Sequence, residues 1–225
     1  MTDSTDTYAK KPSLLTLRAG RSVPYGPEGQ PSAIVKLPVL GRAVVGPEGL
    51  NVDEQADRVH HGGPDKALHH YPFEHYGAWL MDFPDRTGLL HTPGAFGENL
   101  STLGLTEANV HLGDIFRLGD AVLQVSQGRQ PCWKLNQRFG TPDMVARVRA
   151  SGRTGWYYRV LETGEIGAGD HFERLEQPCP DWPLNRLWQV LFGDGRDPAA
   201  LAELSQHALL AAGWRERAQT RLEAA

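Results

Sequence analysis

"VHLGDIFRLGDAVLQVSQ", residues 110–127, reads as two strands joined by a glycine-aspartate turn at Gly119–Asp120. The next residues, "GRQPCWKLN", 128–136, set a proline, a cysteine and a tryptophan between Arg129 and Lys134. Further along, "GWYYRVLETGEIGAGDHFERLEQ", 155–177, reads as two more strands around glycine turns. Toward the N-terminus, "SLLTL" (13–17), "SAIVKLPV" (32–39) and the aliphatic centre of "GRAVVG" (41–46) are short, rich in aliphatic and β-branched residues, and bounded by glycine and proline. They too predict strands, followed by a long glycine-containing loop of the kind that carries function in compact domains. Helices interrupt the pattern. "PFEHYGAWLMDF" (72–83) places Phe73, Tyr76, Trp79, Leu80 and Phe83 at helical spacing with Pro72 at its first turn, and "CWKLNQRF" and "PDMVARVRAS" are helical pieces. The expected fold is mainly β, a barrel or barrel-like sandwich with inserted helices. The high Gly 25 and Pro 16 contents fit that reading.

The composition changes at "QPCPDWP", residues 177–183. Beyond it three helices are predicted near 183–192, 197–207 and 212–223, the middle one begun by Asp197 as N-cap and Pro198 in the first turn. The predicted organisation is a disordered tail over 1–12, a β domain over 13–178 and a three-helix domain over 179–225 packed on it. Hydrophobic content of 40% and charged content of 22% are those of a soluble globular protein. No segment predicts a membrane span, and the start lacks the apolar stretch of a signal peptide, so a cytoplasmic location is expected. Two cysteines in a reducing compartment are expected to be thiols.

The net charge of −4 argues against a general nucleic-acid binder, but its distribution is uneven. Arg129, Lys134, Arg138, Arg147, Arg149, Arg153 and Arg159 face one acidic neighbour, Asp143, in the same window, which is therefore +6. A local positive field in an acidic protein suits a small anionic ligand such as a phosphate ester. Arg147 and Arg149 read as a solvated helix face. A thiol flanked by cations loses its proton more readily, and a thiolate attacks electrophiles or binds metals; a small buried hydrophobe is the plainer reading of Cys132.

Five histidines crowd "VHHGGPDKALHHYPFEH", yet His70 to Glu74–His75 is one residue too long for an inverted metalloprotease motif, so zinc is not expected. In "HGGPDK", Gly62 and Gly63 would let backbone amides approach a ligand. "GAFGENLS", 94–101, sets glycines beside Glu98 and Asn99 without nucleotide-binding spacing, so neither a nicotinamide nor a flavin is expected.

Taken in order, "SAIVKLPV", "GLNVDEQADRVHHGGPDKALHHYPFEHY", "AFGENLS", "NVHLGDIFRLG", "QPCWKLN", "SGRTGWYYRVL" and "AGD" resemble the MOSC domains (molybdenum cofactor sulfurase C-terminal), particularly the YiiM-like branch. "LNRLWQVLFGD" and the helices after it resemble the three-helix domain of that branch. The resemblance covers about residues 13–224. It implies a MOSC-type β-barrel that binds molybdopterin, with Cys132 as a protein ligand of molybdenum and as the catalytic residue. It also implies reduction of N-hydroxylated bases such as 6-N-hydroxylaminopurine. A soft thiolate inside a basic segment would supply both a ligand for the metal and compensating charge for the pterin phosphate. The "HGGPDK" and "AFGENLS" loops would then provide backbone amides and polar side chains to the pterin, and the candidate cofactor contacts are Lys36, His61, Asn99, Arg129, Lys134 and Arg153. Asp53 stands where the family pattern has glycine and is given little weight. With no electron-carrying cofactor motif of its own, such an enzyme needs a separate reductase, for which the helical tail is a candidate docking surface. The alternative is a sulfur-carrier module holding a persulfide on Cys132.

Overall fold

The computed structural model describes residues 11–56 and 62–224. Its strands are β1 (Leu14–Ala19), β2 (Val23–Tyr25), β3 (Gln30–Ser32), β4 (Leu37–Pro38), β5 (Arg42–Gly46), β6 (Gly49–Leu50) and β7 (Leu68–His70), followed by β8 (Leu100–Thr102), β9 (Ile115–Leu118), β10 (Ala121–Gly128), β11 (Trp156–Glu162), β12 (Gly164–Gly167) and β13 (Phe172–Glu176). Helices α1 (Glu74–Asp82) and α2 (Thr87–Leu90) separate β7 from β8. Helices α3 (Lys134–Phe139) and α4 (Met144–Ser151) separate β10 from β11. Helices α5 (Leu184–Phe192), α6 (Pro198–Gln206) and α7 (Ala212–Glu223) form the tail.

Eight strands share one sheet in the order β13-β9-β10-β11-β7-β8-β1-β4, antiparallel except where β7 meets β8. The hairpin of the opening stretch is its spine. Gly119 turns at φ 56°, and a Cβ there would meet the Asp170 carboxylate and the Glu165 carbonyl at 2.5 Å, so the turn requires glycine. β10 is buried along its whole length because β9 and β11 pair both its edges and the tail covers it. The sheet curls until Ser13 bridges His171, with Leu14 N–H donating to Asp170 O at 2.8 Å and Phe172 N–H to Pro12 O at 2.7 Å. The barrel-like fold is thus drawn together by a short bridge, without a continuous closing ladder. Residues 1–10 of the expected disordered tail lie outside the described residues. Lys11 and Pro12 are tied to the β13 end of the sheet, Lys11 by an ion pair of 3.3 Å with Glu173.

Two strand expectations need correction. Of "SAIVKLPV", only Ser32, the last residue of β3, and Leu37–Pro38 are strand. Ser32 Oγ accepts the Ile34 amide at 3.2 Å, and the Arg18 guanidinium takes the Lys36 carbonyl at 2.8 Å, so the backbone is held as a loop by side chains. "GWYYRVLETGEIGAGDHFERLEQ" forms three strands, since β12 leaves the large sheet to pair with β5.

The tail helices follow the expected bounds closely, and Asp197 accepts the Ala200 amide at 3.0 Å as the N-cap of α6. Leu187, Leu191, Leu201, Leu204 and Trp214 join the same apolar core as Leu112, Val125 and Phe116 of the barrel. A second core, including Tyr71, Trp79, Phe96 and Phe139, lies under α1 and α3. Among the described residues no helix is long and apolar enough to cross a membrane.

Candidate functional site

At the end of β10 the chain turns a corner: the Arg129 amide donates to Gly155 O at 2.9 Å, and Pro131–Cys132 lead into α3. Gly155 holds φ 70° with its Cα packed so close to β7 that a Cβ would meet His70 O at 2.3 Å. A cleft with about 620 Å³ of open space, solvent at its mouth included, lies against this corner. The 32–36 loop, the 53–56 segment, Lys66 and His69 around β7, the Phe96–Asn99 loop, and Arg129, Cys132, Lys134 and Tyr157 line it.

One wall is an ion pair. The Lys36 ammonium lies 2.6 and 2.5 Å from the two carboxylate oxygens of Asp53, which also accepts from Asn99 Nδ2 at 2.8 Å and from the Gly20 amide at 2.6 Å. Burial pulls the Lys36 pKa down, and the negative charges of Asp53 and Glu98 oppose that pull. The low weight given to Asp53 is therefore corrected: the carboxylate at this position is the counter-ion of Lys36. Asn99, also buried, accepts the His69 amide at 3.1 Å and donates to Arg18 O at 3.1 Å, joining β1, β7 and the cleft wall through one side chain.

The opposite wall is basic and incompletely satisfied. Arg129 is 5% exposed; its Nη2 reaches Phe96 O at 3.4 Å, while Nη1 is buried without a partner. His69 Nε2 is likewise buried and unpartnered. Burial first, then the Arg129 charge, holds the His69 imidazole pKa well below its ordinary value, so the ring is neutral. Lys134 Nζ donates to Pro31 O at 3.1 Å. Burial raises the Tyr157 phenol pKa against the lowering charge of Arg129. Unsatisfied buried polar atoms beside a half-buried thiol, in a cleft whose three lysines and one arginine outnumber its two carboxylates, Asp53 and Glu54, fit an anionic ligand.

The "GAFGENLS" loop contributes differently from its expected role. Buried Glu98 accepts the amides of Gly94 at 2.5 Å and Phe96 at 3.1 Å and the Tyr76 hydroxyl, whose oxygen also takes the Ala95 amide at 3.0 Å. Arg138 grips the carbonyls of Gly94 and Ala95 at 2.9 and 2.8 Å. The loop's amides are used internally, and what it offers the cleft is Phe96, Gly97 and Asn99.

The structure brings Lys36, Asn99, Arg129, Cys132 and Lys134 together and leaves Arg153 out. The Arg153 guanidinium stacks 3.7 Å above the Trp79 ring and pairs with Asp82 at 3.0 Å, so its charge is used against α1. Arg147 and Arg149 are exposed on α4, as expected, and Arg159 pairs with Asp65 at 2.7 Å. His61 lies outside the described residues. The other thiol, Cys179, sits at the barrel–tail junction with its Sγ 3.5 Å from His207 Nε2, its pKa raised by burial and by the charges of Asp114 and Glu203. Sequence reasoning missed Asp53, His69 and Tyr157 as cleft residues. His69 was visible only as one of a histidine cluster, and Tyr157 only as an aromatic in a strand.

A family model described as MOSC domain matches residues 57–173, and one described as YiiM-like, 3-alpha helix domain matches residues 182–225. Protein YiiM of Escherichia coli (strain K12) is 50% identical over 151 residues, 67% of this chain and 67% of that protein. A protein of Gibberella moniliformis named "Reductase" is 40% identical over 195 residues, 86% of this chain and 34% of its own length. The crystal structure of YiiM from Geobacillus stearothermophilus superposes with a TM-score of 0.79 at 33% identity, covering 94% of this chain and 99% of that one.

Proposed function

Because the chain belongs to the MOSC-domain family and carries the YiiM-like three-helix domain, we propose that it is a molybdenum-cofactor-dependent reductase of N-hydroxylated bases of the 6-N-hydroxylaminopurine type. The observation that carries this reading is the set of unpartnered buried atoms, Arg129 Nη1, His69 Nε2 and Gln55 Oε1, in the cleft that Cys132 borders. The name "Reductase" of the Gibberella relative supports oxidoreductase chemistry. When bound, the cofactor supplies two-electron redox chemistry at molybdenum.

The chain's own residues hold and orient it. The Cys132 thiolate is the soft donor suited to the metal. Among the described residues no cluster of three or more His, Cys, Asp or Glu is placed to hold a metal, and Cys132 is the one protein donor proposed for it. Arg129 and Lys134 supply positive charge for the pterin phosphate. Neutral His69 donates or accepts one hydrogen bond, and the Lys36–Asp53 pair keeps its wall polar with little net charge. The overall reaction takes a base-NHOH, two electrons and two protons to a base-NH2 and water, with electrons from a separate reductase in the cytoplasm.

Purification from a host that makes the cofactor, followed by molybdenum and pterin analysis, tests the reading. Stoichiometric molybdenum and pterin with hydroxylaminopurine-reducing activity are expected once an electron donor is supplied. Cyanide-releasable sulfur on a chain free of molybdenum would overturn it in favour of a persulfide carrier.

A further inference from the structure

Glu107 stands in the loop between β8 and β9 and does not line the cleft, yet its carboxylate ends at the corner that presents Arg129. The residue is 5% exposed. Oε1 accepts the amides of Thr154 at 3.0 Å and Gly155 at 2.7 Å. Oε2 lies 2.7 Å from Nε2 of His75, in the first turn of α1. The Glu107 main chain is tied down too, its carbonyl accepting the Asn185 amide of α5 at 2.9 Å. The side chain is therefore fixed at both ends.

Gly155 passes this constraint on. Its N–H is taken by Glu107, its carbonyl accepts the Arg129 amide at 2.9 Å, and its Cα packs where a Cβ would meet His70 O at 2.3 Å. Thr154 and Gly155 are buried, so water does not stand in for a withdrawn carboxylate: the corner must either shift or leave N–H groups without an acceptor. Arg129 has little of its own to hold it, since its side chain makes one bond of 3.4 Å to Phe96 O and Nη1 has no partner. Where the guanidinium stands is set mainly by where its backbone is held.

We infer that Glu107 is a positioning residue for Arg129: the hydrogen bonds of its carboxylate, passed on through Gly155, fix the guanidinium in the cofactor cleft. The inference rests on the reading above, in which Arg129 holds the anionic cofactor. Glu107 acts by reach and not by charge, because a negative charge behind Arg129 offers an anion nothing. In Glu107→Gln the side-chain oxygen can still accept both amides while its nitrogen donates to His75 Nε2 in the ring's other tautomer. Glu107→Asp keeps the charge and is one methylene too short.

The test measures amide hydrogen exchange by NMR and the pterin dissociation constant on the same purified proteins. In Glu107→Asp the Gly155 and Arg129 amides should exchange at least about tenfold faster while that of Val125, in the middle of β10, keeps its rate. Its pterin dissociation constant should rise roughly two- to tenfold, and Glu107→Gln should stay nearer the wild type on both measures. In an Arg129→Ala background Glu107→Asp should weaken pterin binding no further, whereas a merely structural role would add its full loss there. Unchanged exchange at both amides in Glu107→Asp, a greater pterin loss in Glu107→Gln than in Glu107→Asp, or full additivity with Arg129→Ala would each overturn the assignment. Wild-type pterin binding by Arg129→Ala would instead overturn the cofactor role of that arginine, and the exchange rates would still decide whether Glu107 holds its backbone.

Discussion

Cys132 and Arg129 are three residues apart and do different work, which makes single substitutions informative. Cys132→Ser should keep its fold and lose molybdenum-dependent activity, because an alcohol is a harder and poorer ligand than a thiolate. Wild-type turnover by molybdenum-loaded Cys132→Ser would remove the metal-ligand role. Arg129→Ala should lower pterin retention roughly ten- to a hundredfold, as expected for losing a charge-assisted bond at a buried site. Arg153→Ala should leave pterin content alone and cost about 1 kcal/mol of stability by losing its seat on Trp79. Pterin assays and denaturant melts of the two arginine variants separate the cases. The difference was not legible in the sequence, where both are arginines of one basic window; only tertiary packing decides that one faces the cleft and the other an aromatic ring.

The titration of the β7 histidines is also decided by packing. His70, bonded to Tyr158 Oη at 3.1 Å and Thr102 Oγ1 at 2.9 Å, has its pKa pushed by burial from 6.5 down to about 3. Above pH 6.5 the ring is neutral in both folded and unfolded chains and costs nothing. As pH falls below that value the unfolded chain binds the proton first, so stability drops by about 1 kcal/mol per pH unit until the folded ring titrates. His69 is shifted the same way. Urea midpoints should therefore fall between pH 7 and 5, and fall less steeply in His70→Gln; equal slopes would show that His70 has no such role.

Among the elements, hairpins with a glycine turn and helices with strong apolar spacing were legible, as β9–β10, α1 and the tail show. The 33–36 loop was not, because its aliphatic residues imitate a strand while Ser32 takes the Ile34 amide and Arg18, far back in the chain, takes the Lys36 carbonyl. The 94–99 loop shows the same limit: its glycines suggested ligand-facing amides, yet Glu98 holds those amides inward. Glu98→Gln keeps the size but replaces an acceptor oxygen by an amide nitrogen facing donors. The expected loss is about 1–3 kcal/mol of stability together with weaker pterin retention, since Phe96 and Asn99 shift with the loop. An unchanged melting temperature and full pterin content would show that the loop is held by Arg138 and Tyr76 alone.

For the molecule as a whole, the question is how firmly the tail is fixed to the barrel, since the start of α7 and Cys132 border one opening. The composition break at 177–183 made the tail visible, and its apolar helices implied a partner surface, but the contact itself pairs residues far apart in the chain. Gly128, the last residue of β10, is where they meet: a Cβ there would stand 2.7 Å from Trp214 Cη2. The indole has little room to yield, lying 5.1 Å from the Phe192 ring and 6.3 Å from that of Trp188. Gly128→Ala should therefore force either the strand end or α7 aside, at the roughly 1–3 kcal/mol typical of an overpacked core. Displacement of α7 would leave the Lys36–Asp53 wall of the cleft in place. Measuring the melting temperature and pterin content of Gly128→Ala distinguishes these effects. A lower melting temperature with retained pterin is expected; loss of pterin would mean that the strand end at Arg129, and not the tail, absorbs the added methyl group.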